Sequence, residues 1–399
     1  MITLKISPKK IWDALSKFFK RILRWLSKNW FYTTLIAVAV IGGVCAFLVV
    51  PFAVPQPFSK DDSISTLRQA VLVATGGVLA ILTLWENRRK NDQEHMRQVH
   101  AERRSRYATA IEQLADEKAP IRLGGVYTLV KLVDEWLADE KTLPDKEERR
   151  EEGQVIINSL CAYIRSSFDL ASKAEMLSQD KTLEDYEGGT QQFAKDQARF
   201  REEKELRLTI IEAIRTRLNG GFIIQEDGTK KLLKGSWSNF DYDFSNAHFF
   251  YPVDFANIYF GASSNFFRAE FAGYAGFFGA KFTSADFSEA KFTGYANFSE
   301  AEFTSADFSE AKFTKKANFF EATFEEKPKF EYALGNKTYK ARFSCKADPE
   351  DYNFKVSDNS RYKIETEEKE YNGVKFRIPK GAILFDPDGS SEQKDDNDS

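Results

Sequence analysis

Residues that could carry acid–base, nucleophilic or metal chemistry are few and scattered in this chain. Its 399 residues include three histidines and three cysteines. His95 and His100 are five residues apart, so a helix would not place them on one face as the i, i+4 spacing of a metal-binding pair does. The cysteines are widely spaced, which predicts neither a disulfide framework nor a zinc site and fits a reducing compartment. The sequence has no phosphate-binding loop and no nucleophile elbow, and it predicts no enzyme activity, cofactor or metal.

Carboxylates do recur, but at spacings that belong to a structural repeat. The tripeptides SAD and SEA alternate with phenylalanines that return every five or six residues between Phe240 and Phe330. This regular spacing predicts outward-facing positions that keep the protein soluble, rather than a catalytic acid–base pair. His248 lies between a repeat Ala and a repeat Phe, and we expect it to point outward as well.

The repeated unit is a small residue, any residue and then Phe. Its period of five fits neither an α-helix nor a β-strand, and fixed self-similarity of this kind is typical of a solenoid. Residues 271–291 and 292–312 are nearly the same 21-residue unit. The residues expected in the interior are Phe271, Phe277, Phe282, Phe287, Phe292, Phe298, Phe303, Phe308, Phe313, Ala280, Ala285, Ala290, Ala296, Ala301, Ala306 and Ala311.

This pattern resembles the pentapeptide-repeat family in its Phe-centred form. The resemblance implies a right-handed, four-sided β-helix with one pentapeptide on each side. It also implies that Phe rings stack in ladders inside the coils and that Ala methyl groups fill the remaining space. Ahead of the repeats, residues 221–235 predict a hairpin with its turn at Asp227–Gly228, which would cap the first coil.

Four phenylalanines directly follow a repeat Phe: Phe250, Phe267, Phe278 and Phe320. Adjacent residues of a strand face opposite sides of a sheet, so these rings should point outward. Two interpretations remain open. The rings lie at corners or under loops, or they form an exposed apolar patch that binds a partner.

The N-terminal part contains two apolar segments that predict a transmembrane hairpin. Residues 30–50 carry no charge and are long enough to cross about 30 Å of hydrocarbon. Residues 67–85 predict a second, shorter span, with a buried helix of a soluble domain as the alternative. Lys and Arg are concentrated before the first segment and after the second, which predicts that both termini are cytoplasmic.

Residues 9–28 predict a basic amphipathic helix. Its apolar face would lie on anionic lipid, or the segment is an ordinary basic flank of the first span that folds as a helix. The residues expected at the membrane interface are Trp12, Trp25, Trp30, Arg68 and Trp85.

Between the spans and the rod, the sequence predicts a cytoplasmic helical module. Gly124 and Gly125 lie in one amphipathic segment, and because glycine is costly inside a helix, close packing against a neighbour is the expected reason. The stretch RYATAIEQLADEKAPIRLGGVYTLVKLVDE followed by LCAYIR is similar to the juxtamembrane segment of bacterial membrane-bound pentapeptide-repeat proteins. The order of two spans, module and repeats is the same, which implies the bacterial inner membrane.

The full prediction is an α+β multi-domain chain. Its parts are a basic amphipathic helix (1–29), a transmembrane hairpin (30–86), a helical module (87–220), a hairpin cap (221–235), the repeat β-helix (236–330), an irregular β region (331–385) and a disordered acidic tail (386–399).

Charge and architecture lead to three hypotheses about function. The formal net charge is only −3, so we expect no nucleic-acid partner. The first hypothesis is a membrane scaffold that presents the rod to an unidentified cytoplasmic protein. The second is a membrane sensor or defence effector whose spans form homo-oligomers. The third is a DNA mimic, because some pentapeptide-repeat proteins bind DNA gyrase in this way; the mild acidity of the rod fits this hypothesis poorly.

Overall fold

A computed structural model describes residues 30–53, 62–179, 186–226, 228 and 230–389. The chain divides into two compact units, Met1–Glu102 and Arg103–Ser399. The first unit contains apolar helices, and the second contains a helical module and a β-solenoid of about four turns. The predicted amphipathic helix with Trp12 and Trp25 lies outside the described residues, as do Asp227 and residues 390–399.

The first unit contains α1 (Trp30–Val44), a π-helical turn (Cys45–Val49), α2 (Val50–Ala53) and most of α3 (Asp62–Leu114). Two segments are long and apolar enough to cross a membrane, Trp30–Phe52 and Ser65–Leu114. Apolar side chains such as Ile41 and Val73 are exposed on both. Trp30 and Trp85 are exposed as well, and the Arg68 guanidinium lies 5.9 Å from the centre of the Phe47 ring.

Of the four glycines in these apolar segments, one marks a close helix contact. A Cβ added to Gly42 would lie 2.3 Å from Thr75 Oγ1, whereas Gly43, Gly76 and Gly77 have open space around them. Gly42 therefore lets α1 approach α3.

The helical module follows in the second unit. Its helices are α4 (Ala119–Ala138), α5 (Lys146–Arg165), α6 (Ala174–Leu177) and α7 (Gly189–Leu218), together with the end of α3. Pro120 lies in the first turn of α4, where its missing N–H costs nothing. Asp145 caps α5, because its side chain accepts the N–H groups of Glu147 and Glu148.

The solenoid is built from short parallel strands that return once per coil. The strands up to the end of the regular repeats are β3 (Tyr242–Asp243), β4 (His248–Phe249), β5 (Val253–Asp254), β6 (Tyr259–Asn265), β7 (Glu270–Phe271), β8 (Ala275–Gly276), β9 (Lys281–Asp286), β10 (Lys291–Phe292), β11 (Ala296–Asn297), β12 (Glu302–Asp307), β13 (Lys312–Phe313), β14 (Ala317–Asn318) and β15 (Thr323–Phe324). They form three sheets with the orders β13-β10-β7-β4, β14-β11-β8-β5 and β15-β12-β9-β6-β3.

Four ladders of stacked Phe rings fill the coils, so the solenoid has four sides. Neighbouring rings within a ladder lie 4.8 to 5.7 Å apart between centroids, close to the spacing of neighbouring strands. The handedness of the coil remains a prediction. The ladders are Phe249–Phe271–Phe292–Phe313–Phe343, Phe255–Phe277–Phe298–Phe319–Phe354, Phe260–Phe282–Phe303–Phe324 and Phe244–Phe266–Phe287–Phe308–Phe330.

Alanine occupies the interior positions between the rings because the coil is too narrow for a second large side chain. All the Phe and Ala residues expected in the interior are buried, with Ala285 the most accessible of them at 4%. In adjacent coils equivalent residues pair directly, as Ala285 does with Ala306 and Phe282 with Phe303.

The solenoid continues beyond Phe330, where the sequence predicted its end. Phe343 and Phe354 extend two ladders, and their strands pair in parallel with β13 and β14. The prediction missed this extension because an inserted hairpin at 331–340 and a 3-10 turn at Pro349–Asp351 lengthen the spacing between the rings. The additional strands are β16 (Glu331–Leu334), β17 (Lys337–Lys340), β18 (Arg342–Ser344), β19 (Tyr352–Asn353), β20 (Thr366–Tyr371), β21 (Val374–Pro379) and β22 (Ile383–Phe385).

The first coil is covered mainly by α5 rather than by the predicted hairpin alone. That hairpin does form, from β1 (Asn219–Ile224) and β2 (Lys230–Lys234), but it is a separate two-stranded sheet. The Gln154 side chain donates to Asp241 O (2.8 Å) and accepts from Asp241 N (2.9 Å). This amide stands where a peptide group of a preceding coil would otherwise pair.

Further contacts join the helical module to the first coil. Trp237 is fully buried and donates its Nε1–H to Asp134 of α4 at 2.8 Å. Arg165 of α5 pairs with Asp243 of β3 at 2.8 Å. The module and the solenoid therefore share one continuous core.

Candidate interaction surface on the solenoid

An aromatic strip flanks the sheet formed by β5, β8, β11, β14 and β19, with a tyrosine directly before β8 and before β11 and a phenylalanine two residues after β8 and after β14. We define it by Tyr274, Phe278, Tyr295 and Phe320. Tyr274 is 37% exposed, Phe278 36% and Phe320 40%, while Tyr295 is half-buried. These are large apolar side chains to be exposed on a solenoid, and all four flank the same sheet.

The strip is held in place by contacts between coils. The Tyr274 and Tyr295 rings lie 5.5 Å apart between centroids. Asn297 donates from Nδ2 to the Tyr274 hydroxyl at 3.3 Å, and Asn318 donates to the Tyr295 hydroxyl at 3.2 Å. The Lys316 ammonium lies 5.3 Å from the centre of the Tyr295 ring. Each tyrosine is thus positioned by the coil that follows it.

Phe278 and Phe320 occupy the same corner two coils apart. The backbone bonds from Gly279 N to Ser299 O and from Glu300 N to Phe320 O show that Ser299 is the equivalent residue of the coil between them. At about 4.8 Å per coil the two phenylalanine positions are about 10 Å apart. The strip therefore presents two separated aromatic side chains beside a pair of tyrosines.

The other sides of the solenoid carry charges that pair from one coil to the next. Arg268 pairs with Glu289 at 2.6 Å, and Lys281 pairs with Glu302 at 2.5 Å. Exposed ion pairs of this kind contribute little stability but keep a surface strongly hydrated. The aromatic strip is therefore an apolar feature on the otherwise mostly charged surface of the regular coils, apart from exposed apolar side chains such as Tyr332 and Leu334 on the hairpin after them.

The four phenylalanines singled out in the sequence do not form one patch. Phe250 is 4% exposed, because Phe168 and Phe200 of the helical module pack on it at 5.3 and 5.4 Å. The interpretation that Phe250 belongs to an exposed patch is wrong for this reason. Phe267 is half-buried at another corner, with the Arg268 guanidinium 4.7 Å from its ring centre. Only Phe278 and Phe320 share a surface.

Repeat carboxylates and amides have a local structural role that the sequence did not reveal. Asp286 Oδ1 accepts the N–H of Ser288 at 2.9 Å, and Asp307 Oδ1 accepts that of Ser309 at the same distance. These bonds form Asx turns at the corners. Two residues after a repeat Phe, the backbone at Glu289 and Glu310 is left-handed, with φ of 56° and 57°. The recurring A-D-F-S-E pattern is the signal for this corner.

The histidines and cysteines do not assemble into a reactive site in the part of the chain that the structure describes. His95 is exposed on α3, and the His248 ring lies 6.2 Å from that of Phe250. Burial raises the pKa of the Cys161 thiol to about 12, so it stays protonated at neutral pH. Within the described ranges no three His, Cys, Asp or Glu side chains are grouped as metal ligands.

Comparison with known families agrees with the coil geometry. A family model described as pentapeptide repeats (9 copies) matches residues 277–323. The chain thus contains pentapeptide repeats that fold as a β-solenoid. No curated protein and no solved structure matches the chain.

Proposed function

We propose that this protein is a non-enzymatic scaffold, anchored in a bacterial inner membrane, whose solenoid binds a cytoplasmic protein through the aromatic strip. The observation that carries the proposal is the strip itself. Exposed Tyr and Phe side chains supply large contact areas at a low cost in conformational entropy, which is why aromatic residues are enriched in protein interfaces. The β-solenoid of pentapeptide repeats fits an interaction role.

Rigidity supports the same role. Phe278 and Phe320 follow rings that are fully buried in one continuous ladder, so the distance between them is fixed by the coil spacing. A surface that is already ordered loses little entropy when a partner binds.

The proposed anchor rests on the two apolar helical segments. Both are long enough to span a bilayer, and their apolar side chains are largely exposed, as lipid-facing side chains are. The basic residues that flank the segments in the sequence favour two spans with both termini in the cytoplasm.

The test is affinity purification from gently solubilised membranes with a double variant, Phe278→Ser and Phe320→Ser. Serine already occupies the equivalent corner at Ser299, so the coil accepts this side chain. The matched control replaces Lys291 and Glu325, exposed residues of other sides, with Ser. We expect a partner that is bound by the wild type and the control to be lost from the Phe variant. A partner that the Phe variant retains would refute the role of the strip.

A further inference from the structure

A polar cleft of about 850 Å³ opens in the helical module, away from the aromatic strip. Its lining comes from the loop after α3, from α4, from α5 with the loop that follows it, and from α7. This volume falls in the range of small-molecule sites, about 300–1,000 Å³.

The base of the cleft is a buried ionic network. Glu203 accepts from Arg122 Nη1 at 2.6 Å, from the Tyr163 hydroxyl at 3.0 Å and from Arg207 Nε at 2.7 Å. The Glu203 side chain is 6% exposed and that of Arg207 only 1%. Glu203 and Arg207 are therefore almost fully withdrawn from water, whereas the Arg122 side chain is 16% exposed and lines the cleft.

Positive charge is in excess in this network. Two guanidinium groups share one carboxylate, and burial raises the pKa of Tyr163 to about 12, so the phenol is neutral. Arg207 also donates to Ile164 O and Ser166 O, at the end of α5, and is fully engaged. Arg122 differs, because its Nε is buried and has no hydrogen-bond partner among the described residues. A further anion beside Arg122 would offset the excess charge.

The remaining lining carries the opposite bias. Asp116, Glu117 and Glu202 line the cleft, and Arg199 is paired with Asp169 at 3.2 Å. Lys195 is a further cation of the lining, so the carboxylates outside the base still outnumber the cations. The acidic groups around the positively charged bottom of the cleft repel a ligand that is purely anionic, such as a nucleotide or inorganic phosphate. They attract the cationic part of a zwitterion.

We propose that the cleft binds a small basic zwitterion of the lysine type, with its carboxylate at Arg122 and its amines toward Glu117 and Glu202. The proposal is independent of the scaffold function, since no residue of the aromatic strip lines the cleft.

Binding is measured by isothermal titration calorimetry on the full chain in detergent micelles. The probes are L-lysine, cadaverine, which lacks the carboxylate, and inorganic phosphate, which lacks the amines. We expect one site for L-lysine per chain, with cadaverine weaker by about tenfold or more because it forms no charge-assisted bond to a guanidinium. Phosphate should give no measurable heat. Equal binding of L-lysine and cadaverine, or no heat with L-lysine, would overturn the proposal.

Variants test the two halves of the site separately. Arg122→Gln should weaken L-lysine binding by about tenfold or more. It should not weaken cadaverine binding, because the substitution removes a positive charge that repels this dication. Glu117→Gln combined with Glu202→Gln changes exposed side chains that the fold does not need, and should weaken both amines. The control is Glu205→Gln, an exposed residue of α7 that does not line the cleft. If Arg122→Gln does not fold, the double variant still decides, because L-lysine affinity equal to that of the control would refute the site.

Discussion

Adjacent glycines in α4 should respond in opposite ways to the same substitution. A Cβ added to Gly125 would lie 2.8 Å from Ala110 O and 3.1 Å from Gln113 Cβ, both on α3. At Gly124 no atom lies within 4 Å of the added Cβ. Gly125→Ala and Gly124→Ala therefore change helix propensity equally, but only the first change places an atom against the backbone of a neighbouring helix.

The magnitudes follow from two opposing effects. Replacing glycine with alanine inside a helix stabilises by about 0.5–1 kcal/mol. Overpacking a close contact costs about 1–3 kcal/mol, and the cost applies in full where the opposing atom is backbone and does not rotate away. We expect Gly124→Ala to stabilise α4 by about 0.5–1 kcal/mol. The gain in helix propensity is the same for both variants, so Gly125→Ala should be less stable than Gly124→Ala by the overpacking cost of about 1–3 kcal/mol.

Hydrogen–deuterium exchange of α4 amides is the suitable assay, because it reports local opening without requiring the whole chain to unfold in one step. Exchange through such openings should slow in Gly124→Ala relative to wild type and accelerate in Gly125→Ala relative to Gly124→Ala. Equal protection in the two variants would show that α3 and α4 are not in close contact at Gly125.

Three further predictions address the solenoid and its junction with the module. Glu300 has a left-handed backbone with φ of 57°, so Glu300→Gly should stabilise the coil by about 1 kcal/mol. The control Glu270→Gly lies in an extended strand and should lower the melting temperature. Equal changes in melting temperature for the two variants would contradict the corner geometry. Gln154→Ala should lower the free energy of unfolding by about 1–3 kcal/mol, because it leaves the Asp241 peptide unpaired. Gln154→Glu keeps only the acceptor and should also destabilise the fold. Unchanged hydrogen–deuterium exchange at residues 240–244 would refute this contact. Burial raises the pKa of Cys161 from 9.0 to about 12 in the fold, so the unfolded thiol ionises first and the free energy of unfolding should fall as pH rises from about 9 to 12. Urea titrations should show a smaller fall in this free energy for Cys161→Ala than for the wild type. An identical fall would exclude this thiol as a cause.

The regular coils were predictable because the signal is local and repeated. Each coil contains the same small residue, Phe and turn at a 21-residue spacing, which predicts a solenoid, and the resemblance to pentapeptide repeats implies its four sides and its interior of Phe and Ala. The tyrosines of the aromatic strip have a signal too, since G-Y-A occurs at 273–275 and again at 294–296. That repeat places Tyr274 and Tyr295 one above the other in adjacent coils.

Long-range contacts could not be predicted in this way. Phe250 has the same sequence context as Phe267, and only the packing of Phe168 and Phe200 distinguishes the two. Phe343 and Phe354 continue their ladders after insertions, so no fixed period announces them. The cleft base brings together Arg122, Tyr163 and Glu203 from three helices, a juxtaposition that depends on helix packing and has no pattern along the chain.

The pairing of Gln154 with Asp241 also bears on how the protein avoids uncontrolled assembly. A parallel stack of identical coils ends in unpaired peptide groups, which are a template on which another chain adds and a fibre grows. A side-chain amide from α5 forms the hydrogen bonds that such a peptide group would otherwise offer to another chain at the first coil. Because α5 is a helix, it has no free strand edge to which a further chain could pair. Loss of this contact would therefore do more than destabilise one molecule. It would expose the peptide edge from which a fibre grows. We would then expect a Gln154 variant to aggregate to an extent that rises with protein concentration.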